Sequence, residues 1–239
     1  MQRPPEEMLP VQRGISRTKR LMDILLSFSA LVVLLPAFAI IGICIKLDTP
    51  GPVFYRQDRV GVNRRRGDRR RTGAAPPPGT PRDRRRTDRR GDDQAGRVFY
   101  IVKFRSMRTD AEKSGPVWAQ KNDPRVTRVG AFLRRTRLDE LPQLWNILKG
   151  EMSLVGPRPE RPYFVKRLQE RFPGDRGRLQ VPPGLTGLAQ IERAYDEDVE
   201  DVRRKLAYDL FYIEHRHFLV DLKIILRTVG VVLARKGSR

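Results

Sequence analysis

The run Arg137-Leu138-Asp139-Glu140-Leu141-Pro142 sets two adjacent carboxylates among three arginines, Arg134, Arg135 and Arg137. Pro142 suits the first turn of a helix, where its missing N–H is a donor that no carbonyl awaits. Asp139 and Glu140 then stand at the positive end of a helix dipole, which favours their ionised forms. Acidic residues ahead of a helix are commonly caps and nothing more. The surrounding cations point further, because paired carboxylates amid arginines can hold a Mg²⁺ and receive a phosphate-bearing substrate. One carboxylate could also attack phosphorus directly.

Other basic residues suit phosphate oxygens. Lys103 and Arg105 alternate along a strand-like stretch and would share one face. Arg158 lies between Pro157 and Pro159, whose restricted backbones lower the entropy cost of presenting its guanidinium. Each alone reads better as a solvated surface charge; clustered near paired acids, they point to an anion site. His215 and His217 are the only histidines and have no cysteine nearby, so they carry no metal role.

These groups need a frame, and an uncharged run of 22 residues from Ile24 to Ile45 supplies its first part. As a straight helix it would measure about 33 Å, enough to cross a bilayer. Pro36 near its middle removes a helical hydrogen bond and predicts a bend. Arg13, Arg17, Lys19 and Arg20 precede the run, while Lys46, Arg56 and Arg59 follow it. Basic flanks mark the cytoplasmic side, and both ends qualify. A kinked, re-entrant helix over 16–47 that dips into one leaflet satisfies both. No small-residue cleavage site follows the run, which argues against a signal peptide.

The chain of 239 residues carries a formal net charge of +21, which calls for an anionic partner: lipid headgroups, a nucleotide phosphate or nucleic acid. The single cysteine, Cys44, excludes an intramolecular disulfide and fits a reducing compartment. Residues 1–15 read as a loose N-terminus and 236–239 as a tail, with one catalytic domain over 48–235. Within it, the segment 64–96 holds twelve Arg and five Asp with no large apolar residue. It cannot bury enough surface to offset chain entropy and is expected to be disordered.

Val53-Phe54-Tyr55 and Val98-Phe99-Tyr100-Ile101-Val102 have the composition of short strands. Leu141, Leu144, Trp145 and Leu148 recur at helical spacing before Gly150, and Val129, Phe132 and Leu133 suggest a helix ahead of them. Leu222, Ile225, Leu226, Val229 and Leu233 line one face of a C-terminal helix, with Lys223, Arg227 and Arg235 opposite. That pattern suits a membrane-interfacial helix as well as a helix packed on a core. The fold class expected is α/β, mostly helical with a small β element.

Six segments together resemble the bacterial sugar transferases, the small monotopic phosphoglycosyl transferases. They are Lys19-Arg20-Leu21-Met22-Asp23; Gly51-Pro52-Val53-Phe54-Tyr55-Arg56-Gln57; Lys103-Phe104-Arg105-Ser106-Met107; Arg137 through Asn146; Ser153 through Pro159; and Pro183-Gly184-Leu185-Thr186-Gly187-Leu188-Ala189-Gln190. The resemblance runs from about Thr18 to Leu233, interrupted only by the Arg-rich insert.

It implies a kinked re-entrant membrane helix, Mg²⁺ at Asp139, and transfer of a sugar-1-phosphate from a UDP-sugar to undecaprenyl phosphate. Asp139 would form a covalent phosphosugar intermediate and Glu140 would assist. Lys103, Arg105, Arg137, Arg158, Gln190 and Arg193 become candidates for substrate binding, and Asp209 and Asp221 match acidic positions of the family's C-terminal part. The product would start an exopolysaccharide, capsule or glycoconjugate. The expected location is the cytoplasmic face of a bacterial inner membrane, against anionic lipid, with a homodimer left open. Two departures bear on the sugar: Leu188 replaces the family's usual tryptophan, and Ile191-Glu192 replaces its usual Asn-Gly. The competing reading, a membrane-attached nucleic-acid-binding protein, rests on the Arg-rich insert. That insert lacks aromatics for base stacking, so no nucleic acid is expected.

Overall fold

The computed structural model describes residues 15–62, 96–113, 123–192 and 199–234. The N-terminus as far as residue 14, nearly all of the Arg-rich insert, Arg193 and the C-terminal tail lie outside the described residues.

Helix α1 (Arg17–Asp48) opens on Ser16, whose hydroxyl accepts the backbone N–H of Lys19 at 3.1 Å. It continues as one element through Pro36 and stops at Thr49, ahead of Pro50. At 32 residues it measures about 48 Å. Its composition is apolar nearly all round, so its two sides need different apolar surroundings. One side packs on the protein: Ala30, Leu31 and Leu34 lie against Phe99, Ile101, Leu144, Ile147 and Met152, and further along Phe38, Ile41 and Ile45 meet Phe104 and Leu133. The opposite side, with Leu25, Phe28, Val32, Leu35, Ile43 and Leu47, is exposed.

Both ends of α1 are bonded to the same domain. Near the N-terminal end, Lys19 pairs with Asp221 at 2.7 Å, and Asp23 accepts the N–H of Leu154 at 2.9 Å. Near the C-terminal end, Asp48 accepts the N–H of Val129 at 3.1 Å.

Strands β1 (Phe54–Val60) and β2 (Val98–Phe104) pair antiparallel, with Phe54 opposite Phe104 and Val60 opposite Val98, so the insert occupies the connection between them. Helix α2 (Arg128–Arg135) is capped by Thr127, whose hydroxyl accepts the N–H of Gly130 at 3.0 Å. A 3₁₀ turn, Leu138–Gln143, leads into α3 (Leu144–Leu148). Gly150 then ends the segment at φ +77°, a conformation that favours glycine. The apolar stripe expected here divides: Leu144 and Ile147 are buried, whereas Trp145 is exposed.

The stretch from Ser153 to Thr186 is rich in proline yet holds two strands, a helix and a 3₁₀ segment. Strand β3 (Ser153–Val155) pairs parallel with β4 (Gly184–Thr186), and α4 (Pro162–Arg171) and a 3₁₀ segment (Pro173–Gln180) lie between them. A Cβ at Gly184 would collide with the backbone of Gly156, so the residues before Pro157 close on β4 only because both are glycine.

Three further helices lie among the described residues: α5 (Leu188–Glu192), α6 (Val199–His215) and α7 (Phe218–Leu233). Tyr212 and Ile213 of α6 and Ile224 of α7 enclose Val155 and Val181 in a second core. On α7 the expected apolar face splits, with Ile225 leaning on that core while Leu222, Leu226 and Val229 are exposed. The architecture is mostly helical with two small sheets.

Candidate active site

Asp139 and Glu140 occupy the first turn of the 3₁₀ segment, entered from Arg137 in the left-handed region (φ +58°). A non-glycine residue there stores of order 1 kcal/mol of strain. Pro142 falls inside the 3₁₀ turn, two residues before α3 begins, and not in the first turn of the α-helix as its sequence position suggested.

The two carboxylates have opposite environments. Glu140 receives Lys103 Nζ at 2.7 Å on Oε1, and both Arg158 terminal nitrogens, at 2.5 Å on Oε1 and 3.2 Å on Oε2. Burial raises its pKa, but Arg158 and Lys103 outweigh burial and hold it well below the usual carboxylate range. Asp139 is buried and accepts no hydrogen bond among the described residues. Burial first, and the Glu140 charge second, push it up to about 6 against the pull of Lys103, Arg134 and Arg158. Glu140 is therefore a fixed anion, and Asp139 is a desolvated carboxylate still ionised at neutral pH with its oxygens uncommitted.

The cations divide in the same way. Burial pushes the Lys103 ammonium down, opposed by Glu140, and Glu140 drives the Arg158 guanidinium up. Both are committed to Glu140. Arg134, on α2, acts on Asp139 electrostatically but makes no hydrogen bond or ion pair among the described residues. Of Lys103, Arg134 and Arg158 it is the one not committed to Glu140, and only its closeness to Asp139 in the sequence signalled it.

Asn146 fixes β2 against this turn. Its amide accepts Val102 N–H at 3.0 Å and donates to Tyr100 O at 2.7 Å and to Glu151 at 2.7 Å, which brings Lys103 over Glu140.

Not every expected residue gathers here. Arg105 lies just past β2 and does not join Lys103 at Glu140. Its buried guanidinium donates to Thr49 O at 2.6 Å, Pro50 O at 2.5 Å and Ile45 O at 3.3 Å, closing off the carbonyls at the end of α1. Gln190 donates to Leu185 O at 3.2 Å, within the β4–α5 turn. Asp221 accepts Lys19 and, at 2.7 Å, the Tyr212 hydroxyl, so it ties α7 to α1. Asp209 pairs with Arg178 at 2.8 Å behind the Arg158 loop.

No group of three or more His, Cys, Asp or Glu suited to a metal occurs among the described residues. What the site offers a cation is one uncommitted carboxylate, which fits Mg²⁺: that ion commonly takes one or two protein carboxylates and fills its remaining positions with phosphate oxygens and water.

A buried carboxylate among cations, together with one described helix long and apolar enough to cross a membrane, is an arrangement suited to phosphate chemistry at a membrane. Residues 15–68 and 85–235 match the family described as bacterial sugar transferase, and the chain belongs to it. A Bacillus subtilis protein, provisionally named an undecaprenyl-phosphate N-acetylgalactosaminyl 1-phosphate transferase, is 47% identical over 161 residues, covering 67% of this chain and 72% of its own. The Aeromonas hydrophila UDP-N-acetylgalactosamine-undecaprenyl-phosphate N-acetylgalactosaminephosphotransferase is 37% identical over 221 residues, 92% of this chain and 45% of that longer protein. The Caulobacter vibrioides UDP-glucose:undecaprenyl-phosphate glucose-1-phosphate transferase is 37% identical over 227 residues, 94% of this chain and 73% of its own. The chain is thus a phosphoglycosyl transferase, and the nucleic-acid-binding reading gains nothing from these relatives.

Proposed function

We propose that the protein moves a sugar-1-phosphate from a UDP-sugar to undecaprenyl phosphate through a covalent phosphosugar on Asp139. The observation that carries this reading is the contrast within the acidic pair: Glu140 is locked by two cations, while Asp139 is desolvated and uncommitted. An Asp139 oxygen attacks the sugar-bearing phosphorus, a P–O bond forms, and the bond to the bridging oxygen breaks to release UMP. An oxygen of undecaprenyl phosphate then attacks the same phosphorus, the acyl-phosphate bond breaks, and Asp139 returns as a carboxylate. The product, an undecaprenyl diphosphosugar, would start a surface glycan.

Each neighbour has a part in this scheme. Glu140 fixes Lys103 and Arg158 at the reacting centre, and those cations together with Arg134 offset the charge of the approaching diphosphate. Mg²⁺ would be held by Asp139 together with the donor's diphosphate oxygens, and the chemistry it supplies is charge neutralisation.

The acceptor phosphate stays at the headgroup plane, so the nucleophile must be held at that depth. Two features support a helix that enters and leaves one leaflet at the cytoplasmic face of the inner membrane: both ends of α1 are bonded to one domain, and its exposed side carries no charge from Leu21 to Cys44, with Arg17 and Lys46 exposed beyond it. Exposed Leu222, Leu226 and Val229 with Lys223 and Arg227 support α7 as an interfacial helix.

The test is UMP release from UDP-sugars by purified protein in detergent with Mg²⁺ and undecaprenyl phosphate. Release that disappears in Asp139→Asn supports the proposal; undiminished release by that variant overturns it.

A further inference from the structure

Arg158 belongs to a segment with an unusual handicap. Pro157 and Pro159 have no N–H, so the backbone cannot be anchored by donating hydrogen bonds at either position. The segment must be held through its carbonyls, and all four are held. Pro157 O accepts Gly184 N–H at 2.8 Å and Glu160 O accepts Val60 N–H at 2.9 Å. Between them, Arg158 O accepts a terminal nitrogen of Arg178 at 2.9 Å, and Pro159 O accepts one of Arg59 at 2.8 Å.

Those two guanidiniums are themselves aimed by acids. Arg178 pairs with Asp209 of α6 at 2.8 Å. Arg59 donates its other terminal nitrogen to Gln57 at 2.6 Å, and the nitrogen that reaches Pro159 O lies 3.7 Å from half-buried Glu160, which also pairs with Lys205 of α6 at 3.0 Å. Burial pushes Asp209 up, whereas at Glu160 the three cations Lys205, Arg178 and Arg59 outweigh burial and bring it down to about 2. Buried ion pairs of this kind add little stability over apolar packing, so stability alone does not account for them. Arg178 meets Asp209 through Nε and the Arg158 carbonyl through a terminal nitrogen, and so does what apolar packing cannot: it fixes where the Arg158 side chain starts.

We propose that Asp209 and Glu160 are positioning residues for Arg158, acting through Arg178 and Arg59 to set the Pro157–Glu160 backbone so that the Arg158 guanidinium grips both oxygens of Glu140 beside Asp139. Asp209 in this assignment touches no substrate. The proposal rests on the function proposed above.

The test is the pH dependence of kcat/KM for the UDP-sugar, measured on the full chain in detergent with Mg²⁺. The charged groups facing Asp139 are Glu140 of its own turn, Lys103 of β2, Arg134 of α2 and Arg158. In Asp209→Asn, Arg158 loses its aim, Asp139 loses one of three cations, and the acid limb moves to higher pH. Removal of a negative charge alone would move that limb lower, so the direction separates the two effects. The expected fall in kcat/KM is about tenfold or more, as for other misplaced catalytic groups. Adding Arg158→Lys to Asp209→Asn should cost less than the product of the single losses. If Asp209→Asn shows no cooperative unfolding transition, Arg178→Lys serves instead, since an ammonium lacks the second edge needed to reach Asp209 and the Arg158 carbonyl together.

An unmoved acid limb with multiplicative losses overturns the positioning role while leaving the proposed function intact. Wild type that releases no UMP overturns the proposed function itself.

Discussion

Replacing Asp139 with Asn should abolish transfer and at the same time stabilise the protein. The carboxyl pKa rises from 3.8 to about 6 on folding, so the folded state prefers the protonated form. At about 1.36 kcal/mol per pKa unit, that preference amounts to ~3 kcal/mol. The contribution is fully present below pH 3.8 and is lost as pH rises through 6, so at pH 8 the ionised carboxylate is a net cost of folding. Asn keeps the shape and removes the charge. The variant should therefore melt higher than wild type at pH 8, by about 6–12 °C for a domain of this size, with the gap narrowing as pH falls from about 6 to 4.5 and closing below 3.8. Thermal unfolding in detergent at closely spaced pH values between 4.5 and 8 measures it. An Asn variant no more stable than wild type at pH 8, or a gap that ignores pH, would show that Asp139 is not the desolvated, uncommitted carboxylate described here.

Glu140→Gln leaves Lys103 and Arg158 without their anion, and should cost about 3 kcal/mol of stability, toward the low end for a broken buried pair because Arg158 is partly solvated. It should also draw the acid limb of kcat/KM to lower pH, since Asp139 loses the repelling charge next to it while Arg134, which Glu140 does not hold, stays. Arg105→Ala uncovers the carbonyls that end α1 and should lower the melting temperature by the equivalent of about 2–4 kcal/mol, with KM for the UDP-sugar unchanged; a raised KM at constant stability would return Arg105 to phosphate binding. Asp221→Asn strands Lys19 and should destabilise by about 3 kcal/mol or more while kcat of the folded fraction persists, in thermal and kinetic measurements. Tags at both termini should resist protease in intact spheroplasts, and digestion of one tag alone would establish a spanning helix.

The acidic pair, Arg134 beside it and the apolar helix were legible because each is a local pattern. Local spacing also located the β1–β2 strands, α2 and the stop at Gly150. What spacing could not reveal was where long basic side chains end. Lys103 and Arg105 are two residues apart, yet one closes on Glu140 and the other on carbonyls at the end of α1. That outcome depends on which element each side chain meets, a matter of tertiary contact across tens of residues. The β3–β4 pair was hidden for a related reason: strands of three residues carry almost no periodicity, and their pairing spans the whole proline-rich stretch. Pro142 misled by rule, since a 3₁₀ turn ahead of α3 tolerates it as well as a first α-turn does.

The most direct measurement is intact and peptide mass spectrometry of enzyme quenched after incubation with UDP-sugar and Mg²⁺ alone, under conditions where adding undecaprenyl phosphate gives turnover. The expected result is one sugar-phosphate adduct on the peptide containing Asp139, discharged when acceptor is added and absent in Asp139→Asn. An unmodified Asp139 in enzyme that demonstrably turns over would contradict the covalent mechanism.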